Sequence, residues 1–231
     1  MLEFHLEEDL AEPAKSTSMG TESARGRVAL GFRVKTGKAI VVALGVRDRV
    51  PSLILRTEIS LTDSTTPETS QPHHEVMHLP WPEALRAVAP AERKIRSAAT
   101  NSLSKLLAQL SAQGSDVHAA GITGGTTNDP GRIANPHIRA HAAEGRLFRE
   151  AAAFAARECK LSAETLPEVD IRAIAVRRLA RKRSEIDERL GSLGGSIKPW
   201  RADEKLAALA AWIALSRRAG ARKARASRAK R

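Results

Sequence analysis

Two histidines and a glutamate, His137, His141 and Glu144, stand four and three residues apart in the stretch Pro136 to Lys160, PHIRAHAAEGRLFREAAAFAARECK. At 100° per residue they share a face with Phe148, Ala151, Ala152, Ala155 and Cys159, while Arg139, Arg146, Glu150 and Arg157 lie opposite. The stretch reads as a helix whose buried stripe turns polar at its N-terminal end. Ionisable groups are seldom buried without a partner or a task. The spacing lets the three side chains meet, and three chemistries stay open. They can form an open three-ligand zinc or manganese site, or a His–carboxylate general base with His141 and Glu144 as catalytic groups. They can equally form a satisfied cluster, with Glu144 bonded to His141 or paired with Arg33.

Other residues carry chemistry of their own. His73, His74, Glu75 and His78 fall within six positions of a polar 62–81 loop, enough donors for a weak metal cage or for ordinary surface histidines. The run Thr123-Gly124-Gly125-Thr126-Thr127-Asn128-Asp129-Pro130-Gly131 follows a short apolar segment. Backbone N–H groups of Gly124, Gly125 and Thr126 are therefore candidates to cradle a phosphate. The run lacks the lysine of a P-loop and the spacing of a dinucleotide fingerprint. Asp203 opens the last helix, either as its N-cap or as a metal ligand, and Lys205 beside it is placed to neutralise it or to contact phosphate. Trp200 is expected to anchor over the core, with stacking on a nucleic-acid base as the alternative.

The elements that must position these groups are legible in outline. Val28–Val34, Ala39–Gly45 and Ser52–Leu61 alternate as strands joined by two short turns, which makes an antiparallel meander. Pro82–Gln113 is helical, open to an interruption near Pro90, with Leu103, Leu106, Leu107 and Leu110 as its core face and Gly114 as its stop. Val117–Ile122 reads as an interior strand reached by a crossover, and Ser162–Glu168 as a short last strand. Asp170 is expected to cap one helix through Leu190, apolar on one side and densely basic on the other. A Gly-rich loop over 191–198 leads to a final helix, Ala202–Leu215.

Composition narrows the setting. The chain of 231 residues has no Tyr and one Cys, so the core must be aliphatic and no disulfide framework is possible. Cys159 takes the phase of a small core residue. No run of about 18 apolar residues suits a membrane span, and the N-terminus lacks a signal peptide's apolar region, so a cytoplasmic location is expected. Net charge is +12 and uneven. Residues 1–26 carry six acids and two bases and are expected to be a disordered leader; residues 217–231 carry eight Lys or Arg and no acid. The body between them keeps +8. A basic body with a basic tail suits nucleic acid or another polyanion, although such a tail can also be only a disordered, solubilising segment.

Three antiparallel strands followed by helix, strand, helix, strand and helix resemble the ribonuclease H-like fold, an α/β arrangement shared by ribonuclease H, Holliday-junction resolvases, transposases and, more distantly, actin-like ATPases. The resemblance spans about residues 27–216 and rests on element order and a few positions. It implies carboxylates on the first strand, on or just before the helix after the fourth strand, and at the start of the last helix, together holding two divalent ions about 4 Å apart. By position Glu144 is similar to the resolvase glutamate and Asp203 to the C-terminal acid, so both would hold Mg or Mn, with His137 beside them as a further ligand. The first strand departs from the pattern. Where resolvases carry Gly-apolar-Asp this chain has Gly31-Phe32-Arg33, and no acid occurs in Val28–Lys38.

A guanidinium cannot ligate Mg²⁺ and repels it, but it can clamp a phosphate or pair with Glu144 or Asp203. The expectation is a ribonuclease H-like protein that binds nucleic acid or a nucleotide through a basic surface, with a non-standard centre. The alternative is an active metal-dependent nuclease or phosphodiesterase using Glu144, Asp203 and His141. An actin-like ATPase would need a second phosphate loop, for which only Lys35-Thr36-Gly37-Lys38 is available.

Overall fold

The computed structural model describes residues 27–47, 50–63, 65–125, 128–195 and 197–228, with the backbone alone for residue 47 and residues 217–228. The expected leader, 1–26, lies outside the described residues, as does Thr126. Strands β1 (Arg27–Lys35), β2 (Lys38–Arg47) and β3 (Val50–Ser60) form the meander, with Gly37 at φ +74° in the first turn. Strands β4 (Asp116–Thr123) and β5 (Ser162–Leu166) add in parallel, giving one five-stranded sheet in the order β3-β2-β1-β4-β5. This is the ribonuclease H-like order, with the antiparallel strands on one side of β1 and the parallel strands on the other.

Period-two alternation splits the core into two layers. Val28, Leu30, Phe32 and Val34 of β1 pack with α2 (Trp81–Ala112) and α3 (Pro136–Glu158). Ala29 faces the other way, onto a layer made by α4 (Ile171–Leu179), α5 (Arg183–Leu193) and α6 (Ala202–Arg228). Gly31 and Gly121 explain how closely α6 approaches: a Cβ on them would sit 1.8 Å from the Ala207 carbonyl oxygen and 2.3 Å from that of Ala210. The helix therefore rests on bare backbone, and its contact face is mostly alanine.

Several boundaries differ from the sequence reading. The 62–81 stretch is partly ordered against the body: a 3₁₀ turn at Pro67–Thr69 and a short helix α1 (Pro72–Glu75) bury Thr69, Pro72 and His73. Pro90 does not interrupt α2, which runs unbroken over 32 residues. The helix expected from Asp170 to Leu190 is two helices, parted at Ala180 in the left-handed region (φ +51°). The break lets Ile171 and Ala175 on one side, and Ile186 and Leu190 on the other, both pack on α6. Strand β5 stops at Leu166, before Pro167, and α6 continues as helical backbone through Arg228, into the stretch expected as a tail. Trp200 anchors the loop before α6, its indole N–H donating to the Leu190 carbonyl at 2.7 Å and its ring lying against Gly194.

Candidate functional site

Two clusters gather the groups singled out above, one in each layer. The first lies at the β1 end facing α6. Arg33 follows Gly31 on the face covered by α6, and its guanidinium meets Asp203 at 3.1 Å and Glu168, just past β5, at 2.9 Å. Lys35 reaches the other Asp203 oxygen at 2.6 Å. Burial pushes the Asp203 carboxyl up, but the hydrogen bonds and charges of Lys35 and Arg33 outweigh it and hold the group below its ordinary value. Asp203 is not the cap of α6. Glu204 does that work, accepting from the Arg201 N–H at 2.9 Å and from Arg56 at 2.6 Å, as in the carboxylate arm of a capping box. Lys205 makes no ion pair among the described residues; the cations on Asp203 come from β1.

The loop after β4 abuts this cluster. Gly124 (φ +137°) is so close to β1 that a Cβ would lie 2.4 Å from the Val34 carbonyl oxygen and 2.8 Å from the Arg33 guanidinium. The Gly124 carbonyl accepts from Arg149 of α3 at 2.6 Å. Gly125 (φ +66°) is the crowded position, where a Cβ would lie 2.9 Å from the Arg149 guanidinium and 3.2 Å from the Gly145 backbone, while a Cβ on Gly145 would meet the loop at an ordinary 3.5 Å. Arg149 is a residue that sequence reasoning did not single out, although its exposed-looking phase hid only a half-buried guanidinium bracing this loop.

The second cluster is on the other face, between α3 and α1. Asn135 caps α3 by accepting from the Ile138 N–H at 3.0 Å, and Pro136 takes the first position, so the helix begins with His137 already on its first turn. His137 and His141, one turn apart, are exposed with their Nε2 atoms 3.1 Å from each other. His74 of α1 stacks edgewise on both, at ring-centroid distances of 5.5 and 4.5 Å. One ligand atom from each of the three rings falls within 4.8 Å of the others.

Glu144 sits behind them at 1% exposure. Its Oε1 accepts the His73 backbone N–H at 2.8 Å and lies 3.4 Å from His74 Nδ1. Burial pushes its carboxyl up to about 7, against the lowering effect of the backbone N–H bonds from His73 and His74. Burial also depresses His73, to about 4, helped by the neighbouring His74. His74 and His141 are likewise held below the ordinary imidazole value, by burial and by the charges of the other rings.

The structure thus brings His137 and His141 together, and adds His74 from the other weak histidine run. It brings Asp203 to Arg33, but it does not bring Glu144 to either. Glu144 is carried by α3, in the α2–α3 layer, and Asp203 by the first turn of α6, the helix that covers the other face of the sheet. Glu168 and Lys35 complete the first cluster; their positions at the ends of β5 and β1 were the available signal. A two-ion carboxylate centre does not fit the first cluster, because its two acids are already held by two cations.

No family model and no curated protein matches the chain. Among solved structures it is similar to Thermus thermophilus RuvC, with 11% identity over 80% of this chain and 92% of that one, at a TM-score of 0.45. It is also similar to T. thermophilus RuvC in complex with a Holliday junction substrate, with 10% identity, 81% and 91% coverage and a TM-score of 0.43. A third is the Aquifex aeolicus member of the Ppx/GppA family, at 12% identity, 67% and 39% coverage and a TM-score of 0.34. By its own strand order and its helix layers on both faces, the chain has the ribonuclease H-like fold.

Proposed function

We propose that this protein binds nucleic acid and does not cut it at the position where ribonuclease H-like nucleases hold their metal ions. The observation that carries this reading is the ion-paired cluster of Arg33, Asp203, Glu168 and Lys35. Arg33 stands where the resemblance calls for a first-strand acid. A second cation, Lys35, shares Asp203. Each fixed positive charge about 4 Å from an incoming cation costs on the order of 4 kcal/mol per unit charge at an effective dielectric of 20, which counts twice against a divalent ion. The net charge of +12 supports a polyanionic partner. The rival nuclease reading requires Glu144, Asp203 and His141 to converge, whereas Glu144 is engaged by the His73 N–H and His74 and Asp203 by Arg33 and Lys35.

The test uses labelled four-way-junction, duplex and single-stranded DNA and RNA with the full chain. Binding at low salt that weakens steeply as salt rises, with no cleavage in Mg²⁺ or Mn²⁺ and no metal-dependent rise in Tm from either ion, is expected. Arg33→Asp gathers three carboxylates, so it should lower Tm through their repulsion and recover it when Mn²⁺ is added. Cleavage by the wild-type chain in Mg²⁺ or Mn²⁺, or the lack of any binding at low salt, overturns the reading.

A further inference from the structure

The histidine cluster lies on the other face of the sheet from Arg33 and stands independently of the reading above. His74 comes from α1 and His137 and His141 from α3, so the three imidazoles join two separate segments. His74 Nδ1 faces the Glu144 carboxylate at 3.4 Å, while its Nε2 is buried and has no hydrogen-bond partner among the described residues. An Nδ1–H given to a carboxylate leaves Nε2 with its lone pair, the arrangement by which a carboxylate behind a histidine fixes tautomer and ring orientation for a metal.

The distances suit an ion. Two nitrogens on one tetrahedral zinc, each about 2.05 Å from it, stand about 3.3 Å apart. His137 and His141 already hold their Nε2 atoms at 3.1 Å. All three ligand atoms lie within 4.8 Å, and the two outer rings are exposed and free to close on an ion by small side-chain rotations. Three imidazoles with no carboxylate or carbonyl among them select a borderline transition cation over Mg²⁺ or Ca²⁺, which take oxygen ligands.

We propose that His74, His137 and His141 bind one Zn²⁺ per chain, with Glu144 holding His74 from behind and the fourth coordination position open to solvent. The bound ion ties α1 to α3 and so fastens the 62–81 segment to the body. Glu144 is a positioning residue in this arrangement rather than a ligand, which gives its buried carboxylate a use on this face of the sheet.

The experiment is calorimetric titration of the full chain, stripped of metal by chelator, with Zn²⁺. It is read beside the visible spectrum of the Co²⁺-loaded protein and amide hydrogen exchange over α1. One equivalent of zinc, a tetrahedral cobalt spectrum and slower exchange at residues 73–75 in the presence of zinc are expected. His137→Ala and His141→Ala alter exposed side chains and should leave the metal-free circular dichroism unchanged while abolishing binding. Glu144→Gln should weaken zinc about 10- to 100-fold and keep the one-to-one ratio. His78→Ala, on the same segment but outside the cluster, should bind as the wild type does. No zinc binding at micromolar concentration, wild-type affinity in His137→Ala and His141→Ala, or loss of binding in His78→Ala overturns the assignment.

Discussion

Asp203 and Glu204 are neighbours in the first turn of α6, yet they answer to different strands. Asp203 takes Arg33 and Lys35 from β1, and Glu204 takes Arg56 from β3 and the Arg201 N–H. Burial acts to raise both carboxyls, and in both it is overcome by the cations and N–H groups around them, so each sits below its ordinary value. The sign follows from linkage. As pH falls, the unfolded chain takes up these protons first, so the stability they contribute is complete above the ordinary carboxylate range and is lost as pH drops through the folded values. Glu204→Gln keeps an acceptor for Arg201 but removes the charge that Arg56 needs. In urea unfolding followed from pH 3 to 7, the wild type should exceed this variant by about 3 kcal/mol at neutral pH, because the variant leaves a half-buried guanidinium uncompensated. The difference should be full above about pH 5 and shrink below about pH 4. A pH-independent difference would falsify the assignment of that stability to the charge.

At the scale of elements, the pairing of α6 with the sheet decides where the first cluster can form. Gly31 and Gly121 lie on adjacent strands, β1 and β4, and both face α6 with no room for a side chain. The groups that would be struck are backbone carbonyls of Ala207 and Ala210, which cannot swing aside. Gly121→Ala should therefore destabilise by about 3 kcal/mol or more, at the upper end of overpacking costs, measured by urea unfolding. If the helix is forced outward, Asp203 moves away from Arg33, so the variant should also lose part of the acid sensitivity described above. A Gly121→Ala protein as stable as the wild type would mean that α6 does not rest directly on the backbone of the strands. The short helix α1 shows the opposite case, an element too brief to hold itself, kept in place by Glu144 from another helix.

Across the whole molecule, the sheet separates two kinds of chemistry. One face carries cations locked onto acids, the other carries imidazoles with a carboxylate behind them. Charge is divided along the chain as well, with an acidic start, a basic body and eight cations in the last fifteen residues. If nucleic acid is the partner, those cations add counterion release without adding sequence specificity. Deleting 217–231 should weaken binding alike for all sequences and flatten the slope of log affinity against log salt, by at most about 7 if all eight cations meet phosphates of a duplex. The core residues of α6 end at Leu215, so Tm should be little changed, and circular dichroism should lose only the helical signal of the removed residues. An unchanged salt slope would remove the tail from the interface.

Much of the scaffold could be read from local pattern alone. The meander followed from alternation between two turns, β4 from a short apolar run after a helix, and α3 from its 100° phase, which also placed Glu144 inward. The chemistry of a guanidinium on the first strand made Asp203 a candidate partner for Arg33, but left Glu144 equally eligible. Only the tertiary structure chose, because the partners are 170 residues apart in sequence and meet through the order of strands and the side of the sheet that α6 covers. His74 joined His137 and His141 for the same reason: a four-residue helix with no periodicity of its own was placed by packing against α3. Local sequence dictates which way a side chain faces on its own element; which other element it faces is settled by long-range packing, where the free energy depends on the whole core at once.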